Sequence, residues 1–451
     1  MSSMNYTNRM LPPVNAEPPR LAWIVAVFVV IIQQDAFVTT PLILREFSVY
    51  ALRDIRNPFN TAGIAISILC MGIGCFPWIR RIGFLAWRNK FSAIFMLIVI
   101  LSATWSIHPD LTIRRGVGYI LTILIAAYLS LRFDVVDRLK VLSCSFAISA
   151  IGSLAFIAAF PEFGIMQDGD LAGTWRGVFP HKNVLGPVMA VAVFTELFIL
   201  VACKGRPRWR LVLLSTYFVL VVLSHSVTAL LLSLTFLAGT GVYILWKRDK
   251  MMGVGTSIML VILFLAVLTV LLVDPKILLG ILGRDTGLTG RTALWASVIP
   301  LIKQRLMFGW GYRAMWQADD ASGVVIDQMA GWGASSSHNV FLEITLQLGL
   351  VGAGVLLVVV VIALVRALRC CKAGSLPLGW FSLMFFVGAV MAGLIMETLG
   401  KNQSIEWVAF NVLSFSCGIG LAARREDGLA YVRRRLVRPM HPLSRRYGQN
   451  G

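Results

Sequence analysis

Twelve long apolar runs divide this chain, and they constrain its fold more than any other feature of the sequence. The runs are 21–38, 62–80, 91–107, 116–133, 141–160, 184–203, 210–224, 226–246, 254–273, 346–366, 377–396 and 404–422. A helix needs about 20 apolar residues to cross the hydrocarbon core of a bilayer. We therefore predict an all-α integral membrane protein, a polytopic bundle of about 12 transmembrane helices.

The composition supports this fold class. Apolar residues make up 57% of the 451 residues and charged residues only 14%, whereas an average soluble domain has about 25% charged residues. A soluble fold of this size could not cover so much apolar surface with polar groups. The composition thus excludes a soluble enzyme, a disordered chain and a disulfide scaffold.

The basic residues predict the orientation of the spans. If the N-terminus is cytoplasmic, about two thirds of the 41 Lys and Arg residues fall in inward segments, as expected from the retention of basic loops in the cytoplasm. We therefore predict that both termini are cytoplasmic. The resulting organisation is a leader over 1–20, nine spans over 21–273, a large outer loop over 274–345, three spans over 346–422 and a basic tail over 423–451.

The net charge of +19 would suggest nucleic acid binding in a soluble protein. Here, membrane topology accounts for most of it, and the eight arginines of the tail suit anionic lipid at the inner leaflet. We expect the lipid bilayer as a partner, and no nucleic acid.

Two outer connections, 161–183 and 274–345, are longer than the others, and long loops are often functional. Residues 292–305 have helical spacing, with Leu294, Val298, Leu301 and Ile302 on one side. Aromatic residues follow, namely Phe308, Trp310, Tyr312, Trp316 and Trp332. They could line a sugar-binding groove or form an aromatic belt at the membrane interface.

Three outward arginines stand in motif-like surroundings. Arg176 lies in G-T-W-R-G-V-F-P-H-K-N-V-L-G, Arg291 in G-R-T-A-L-W and Arg313 in F-G-W-G-Y-R. A guanidinium offers a planar fork of donors that suits phosphate or carboxylate, so several together could hold a diphosphate. Alternatively, each could pair with one of the six acids of the large loop.

A histidine precedes the tenth span in the stretch S-S-S-H-N-V-F-L-E-I-T-L-Q-L-G-L-V-G. Serine before an apolar run is an N-cap signal, so we expect the helix to begin near Ser337 with His338 in its first turn. A helix N-terminus disfavours the imidazolium, which would leave a neutral base. Helical spacing would put Gly349 and Gly352 below His338, where small residues let a neighbouring helix approach.

Two further features concern charged groups near or within spans. Glu196 lies within the sixth span, where a carboxylate is either functional or hydrogen-bonded to a neighbouring helix. Glu397 and Lys401 are close enough in sequence to pair with each other.

Together these motifs resemble the O-antigen ligase/polymerase superfamily, and within it the exopolysaccharide polymerases of the ExoQ type. The pattern H-[NSQ]-x9-G-x-x-[GTY] is matched by His338, Asn339, Gly349 and Gly352. The R-G-x-F-x-H-K-N-x-L-G stretch is matched by Arg176, Gly177, Phe179, His181, Lys182, Asn183, Leu185 and Gly186. The G-R-x-x-x-W segment is matched by Gly290, Arg291 and Trp295.

The resemblance implies a GT-C-like, metal-independent glycosyltransferase without a cofactor, in a bacterial inner membrane with its active site facing the periplasm. Its donor would be an oligosaccharide on undecaprenyl diphosphate. Arg176 and Arg291 would stabilise the diphosphate, and His338 would accept the proton of the attacking hydroxyl. The expected substrate-binding residues are Arg313, His181, Lys182, Asn339, Trp295 and Trp310. His181 and Lys182 could instead serve only to form their loop.

Three functions remain open at this point. The first is a polymerase of lipid-linked repeat units, which would work with a chain-length regulator and other polysaccharide export proteins. The second is a ligase that transfers a finished glycan to lipid A core or another acceptor. The third is a flippase or transporter of lipid-linked oligosaccharides, for which twelve spans are also a common architecture; the charges gathered in outer loops and the absence of an evident internal repeat argue against it.

Overall fold

The structure is a computed structural model that describes residues 18–37, 40, 58–167, 169–202, 208–257, 259, 291–316 and 336–436. Side chains are described within these ranges except at 170, 291–292 and 425–436. The helices are α1 (Arg20–Gln33), α2 (Pro58–Cys75), α3 (Ile79–Arg88), α4 (Lys90–Leu101), α5 (Pro109–Arg132), α6 (Val135–Ala159), α7 (Pro161–Gly164), α8 (Lys182–Ala202), α9 (Trp209–Leu223), α10 (Val227–Arg248), α11 (Arg291–Gln304), α12 (Val340–Lys372), α13 (Leu376–Gly393) and α14 (Ile405–Leu436).

Eight helical segments in the described part of the chain are long and apolar enough to cross a membrane. Three shorter apolar helices, Arg20–Gln33, Lys90–Thr104 and Trp209–Leu223, accompany them. Together they coincide with eleven of the predicted spans, whereas the predicted span 254–273 lies almost entirely outside the described residues. The all-helical membrane fold is confirmed; the count of twelve and the GT-C-like arrangement stay predictions.

Helix α8 lies at the centre of the bundle, packed against α6, α9 and α10. Its residues from Leu185 to Ile199 are buried. Since lipid tails give little hydrophobic drive for helix association, close approach at small residues matters more. A β-carbon at Gly186 would lie 2.7 Å from the hydroxyl oxygen of Ser224, so glycine lets α8 touch the turn between α9 and α10.

The bundle has two distinct ends. The site end carries the connections 102–109, 160–182, 224–227, 304–316, 336–340 and 394–404, and the basic end carries 76–90, 132–135 and 373–375. At the site end, the Tyr312 hydroxyl donates to the Gly400 carbonyl (2.9 Å) and accepts from the Asn402 amide (2.8 Å). At the basic end, the guanidinium of Arg366 in α12 donates to the Arg88 carbonyl (2.7 Å).

Candidate active site

A break in helix α12 organises the site end. Gly349 takes φ 66° and ψ −168° inside the helix, which removes helical hydrogen bonds around it. The freed groups pair with the loop after α11, so the buried backbone stays satisfied. The bonds are Trp310 N to Leu346 O (3.0 Å), Gly311 N to Gln347 O (2.9 Å), Leu350 N to Leu306 O (2.8 Å) and Val351 N to Met307 O (3.2 Å).

This arrangement corrects the expected role of Gly349. The glycine admits the backbone of a loop from the large outer segment, where a neighbouring helix was expected. Helix α12 also begins at Val340, inside the region assigned to the outer loop 274–345.

The loop that enters the break is held from its other side by α4 and α5. The Ser102 hydroxyl accepts from the Tyr312 amide (3.1 Å), and the Thr112 hydroxyl donates to the Tyr312 carbonyl (3.2 Å). Tyr312 and Trp316 are both buried, so the structure gives them packing roles instead of a sugar groove. Trp310 is half-buried, and its indole N–H donates a hydrogen bond to the Leu301 carbonyl (2.9 Å).

The His338 segment lies beside this loop, just before α12. The helix cap is Asn339, whose side-chain oxygen accepts from the amides of Phe341 (2.9 Å) and Leu342 (3.2 Å). The expected cap at Ser337 is therefore wrong, and His338 precedes the helix with φ 49°. Asn and Ser are comparable N-cap residues, which explains why the helix is capped two residues later than expected. Asn339 also donates to the Leu394 carbonyl (3.2 Å), so its amide already has structural partners.

Glu343, a residue that the sequence reasoning did not assign to the site, joins the two segments. This fully buried carboxylate accepts from the Trp316 indole N–H (2.6 Å) and from the Ser337 amide (2.6 Å). The side-chain amide of Gln347 is a third donor. A buried carboxylate needs such donors. Its position one turn after the Asn339 cap was the available signal.

Helix α11 reaches the same segment through Trp295. The Trp295 indole N–H donates to the Ser337 carbonyl (2.9 Å), next to His338. The predicted helix over 292–305 agrees with α11, and Leu294 and Val298 are fully buried on its inner face. Arg291 begins α11 one turn before Trp295, and its side chain lies outside the described residues.

Arg313 forms a largely buried ion pair with Glu397, with Nη1 and Oε1 2.7 Å apart. Two expectations are thereby wrong: Arg313 does not pair with an acid of the large loop, and Glu397 does not pair with Lys401. Burial opposes the charge of Arg313, but Glu397, Tyr312 and Glu343 together outweigh this effect and raise the pKa of Arg313. Arg115 also donates to the Arg313 carbonyl.

Arg176 lies in the other long connection of the site end, almost fully buried. Its Nε donates to the Phe163 carbonyl (2.7 Å), and its amide donates to the Gly164 carbonyl (3.0 Å). Gly177 follows with φ 57°, and a β-carbon there would lie 2.4 Å from the Ser153 side chain. The R-G pair of the motif is therefore held against α7 and α6.

His181 and Lys182 form the entry to α8 close to Arg176. The His181 Nδ1 accepts from the Asn183 amide (3.1 Å), which requires an unprotonated nitrogen. Burial, followed by the positive charges of Lys182 and Arg176, lowers the pKa of His181 to about 4. Lys182 is itself buried. This corner therefore concentrates positive charge around a neutral imidazole.

The structure thus gathers the predicted site residues in two clusters at one end of the bundle. The first contains Arg176, His181 and Lys182; the second contains Trp295, Trp310, Arg313, His338 and Asn339. The end of α1 connects them. Beside the first cluster, the Phe37 amide donates to the Val178 carbonyl (3.1 Å). On the side of the second cluster, the Thr122 hydroxyl donates to the Gln33 side-chain oxygen (2.9 Å). The same hydroxyl accepts from the backbone amide of Gln403 (3.1 Å), in the connection that contains Glu397.

A family model described as O-antigen ligase matches residues 210–357, which extend from α9 into α12. The resemblance seen in the sequence motifs is confirmed. The matched region includes the second cluster, whereas Arg176, His181 and Lys182 precede it.

The chain is also 25% identical over 293 residues to the exopolysaccharide production protein ExoQ of Rhizobium meliloti (strain 1021). The alignment covers 61% of this chain and 64% of that protein. The chain therefore matches less than two thirds of the length of this curated relative.

Proposed function

We propose that this protein is a membrane glycosyltransferase that polymerises oligosaccharide repeat units carried on undecaprenyl diphosphate, for exopolysaccharide biosynthesis at the periplasmic face of a bacterial inner membrane. The O-antigen ligase match and the similarity to an exopolysaccharide production protein support a polymerase or ligase. The observation that carries the proposal is the gathering of a histidine and several cationic residues at one end of the bundle, on segments fixed by buried hydrogen bonds.

The proposed reaction is a displacement at the anomeric carbon of the donor glycan. The acceptor hydroxyl oxygen forms the new glycosidic bond, and the bond between the anomeric carbon and the diphosphate oxygen breaks with its electron pair leaving on the diphosphate. His338 takes the hydroxyl proton. Arg176 and Arg291 stabilise the negative charge of the leaving diphosphate, a role that guanidinium groups can fill without a metal.

The remaining residues of the site would hold substrate or position the reacting groups. Arg313 and Lys182 would extend the positive surface toward the diphosphate, and the neutral imidazole of His181 would donate a hydrogen bond to it. The half-buried rings of Trp295 and Trp310 would contact sugar, while Asn339 would fix the start of α12. A chain-length regulator and other polysaccharide export proteins would be partners of the reaction.

The test is reconstitution of purified protein with undecaprenyl-diphosphate-linked repeat units, followed by gel analysis of chain length. We expect His338→Asn and His338→Ala to lower polymer formation by about 10²–10⁴-fold, the usual contribution of a general base. His225→Asn is the matched control, because His225 lies at the same end with a similar φ of 50°, and asparagine tolerates this region. Normal polymer from both His338 variants would reject the base assignment.

The arginines are tested in the same assay. Arg176→Ala and Arg291→Ala should each cost about 10²–10³-fold, whereas Lys303→Ala, an exposed position on the same helix as Arg291, should not. Since Arg176 is buried, its variant must also elute as a monodisperse protein for the loss to count.

The O-antigen ligase match supports a second candidate, transfer of a finished glycan to lipid A core or another acceptor. Adding purified lipid A core to the same vesicles separates the two. Ladders of free lipid-linked polymer would favour the polymerase, and glycan on the core lipid alone would favour the ligase. Repeat units that cross the membrane without any new glycosidic bond would instead indicate a flippase.

A further inference from the structure

Helix α3, at the basic end, follows α2 after a short break in the α-helix. The 18 residues of α2 are about 27 Å long, close to the roughly 30 Å thickness of the hydrocarbon core. A 3-10 turn over Phe76–Trp78, with Pro77 inside it, then separates α2 from α3. Helix α3 therefore begins where the chain has already reached the membrane surface.

The faces of α3 differ strongly. At 100° per residue, Ile79, Ile82 and Ala86 share one face, and Arg81 and Arg88 lie opposite. Ile79 is 65% exposed, and Trp87, at the edge of the apolar face about 80° from Ile79, is 78% exposed. An amphipathic helix with apolar residues on one face and arginines on the other lies in the plane of a membrane interface.

The helix is fixed in this place by its C-terminal end. The Asn89 side chain donates to the Leu85 carbonyl (2.7 Å), and Arg366 of α12 donates to the Arg88 carbonyl (2.7 Å). These bonds cap the last turn and attach it to the bundle. The exposed apolar face is therefore held at one height relative to the spans.

Two guanidinium groups converge next to α3. Arg81 and Arg132 lie over the ring of Trp78, 4.6 and 5.8 Å from its centroid. The segment 76–90 adds Arg80, Arg88 and Lys90 and contains no acidic residue. Such a concentration of positive charge at a membrane surface suits an anion with several acceptor oxygens.

We propose that α3 and Trp78 form a binding site for an anionic phospholipid at the basic end of the bundle. Arg81 and Arg132 hold the headgroup phosphate, and Ile79 and Trp87 pack against its acyl chains. The site is separate from the candidate active site at the opposite end, and it does not depend on the proposed reaction.

The test uses the full-length protein in nanodiscs of phosphatidylcholine alone or with 30% phosphatidylglycerol. Hydrogen exchange of residues 76–90 should be slower in the anionic discs. After extraction, native mass spectrometry should find phosphatidylglycerol retained in preference to phosphatidylcholine. Arg81→Gln with Arg132→Gln should lower that preference about tenfold.

The matched control is Arg305→Gln, because Arg305 lies over Trp310 at the site end in a similar stacked geometry, 4.2 Å from the ring centroid. It should leave lipid retention unchanged. Ile79→Ser with Trp87→Ser, two exposed positions, should lower retention of both lipids. Equal retention of the two lipids by the wild type, or equal losses in the Arg305 control, would overturn the proposal. Protection of 76–90 by an added acidic protein, with no difference between the two discs, would also overturn it.

Discussion

A β-carbon at Gly349 would lie 2.1 Å from the carbonyl oxygen of Met307. The two residues belong to segments 42 positions apart, and each segment satisfies the backbone groups of the other. The break in α12 and the loop after α11 therefore form together or not at all. Because the His338 segment leads directly into α12, this pairing also sets its position.

Gly349→Ala should destabilise the protein. The positive φ alone costs an alanine about 1–3 kcal/mol, and the overlap with Met307 would force the loop out. Gly354→Ala is the control on the same helix, since its β-carbon would meet nothing within 4 Å. It should be neutral or slightly stabilising, because alanine favours helix. The measurement is the thermal midpoint in detergent, and equal midpoints for the two variants would contradict the pairing.

Glu343→Ala should damage the site more than Glu343→Gln. Alanine leaves the buried N–H groups of Trp316 and Ser337 without an acceptor, which costs about 1–3 kcal/mol for each group. Glutamine keeps one acceptor oxygen but turns an amide donor toward the other N–H. Polymer formation and hydrogen exchange of residues 336–343 report the effect.

Thr345→Ala serves as the control for Glu343. The Thr345 hydroxyl donates to the Phe341 carbonyl, one turn earlier in the same helix, and this bond is exposed. If Glu343→Ala exchanged no faster than Thr345→Ala over 336–343, the carboxylate would not be holding the His338 segment.

Trp295→Phe should lower polymer formation by about tenfold without unfolding the protein. It removes the single hydrogen bond to the Ser337 carbonyl, and a small displacement of a catalytic group is costly for rate. Trp209→Phe, at a largely exposed position of α9, should have no effect. A loss confined to substrate affinity, with an unchanged maximal rate, would point to a sugar contact of Trp295 instead of a positioning role.

The ion pair of Arg313 and Glu397 should contribute strongly to stability. Removing one partner of a buried pair costs about 3–5 kcal/mol because the other charge stays buried. Arg313→Ala and Glu397→Ala should each show this loss, and the double variant should lose much less than their sum. The exposed pair Lys140–Asp137 is the control cycle, with an expected coupling below about 1 kcal/mol.

The sequence allowed the membrane spans and α11 to be predicted, because apolar length and helical spacing are local properties. Leu294 and Val298 are buried as their spacing implied. The cap of α12 was misplaced by two residues, since Ser337 and Asn339 are both good N-cap residues and only tertiary contacts decide between them.

The interactions that hold the site together could not be read locally. Arg313 and Glu397 are 84 residues apart, and a glycine in a helical pattern does not reveal whether a helix or a loop approaches it. The sequence motifs identified residues that meet at one end of the bundle, while Glu343 escaped attention because a single acid near a helix start is common.

Stability should depend on pH through His181. Its pKa is 6.5 ordinarily and about 4 in the folded protein, because of burial and then the charges of Lys182 and Arg176. As the pH falls from about 6.5 toward 4, the unfolded chain gains a proton that the folded protein does not, so the folded state loses on the order of 2 kcal/mol. His181→Asn keeps an acceptor for the Asn183 amide and should lose less stability over this range. The measurement is the thermal midpoint of wild type, of His181→Asn and of the control His225→Asn at pH 7, 5.5 and 4.5. Parallel pH profiles for wild type and His181→Asn would show that His181 protonates freely in the folded protein.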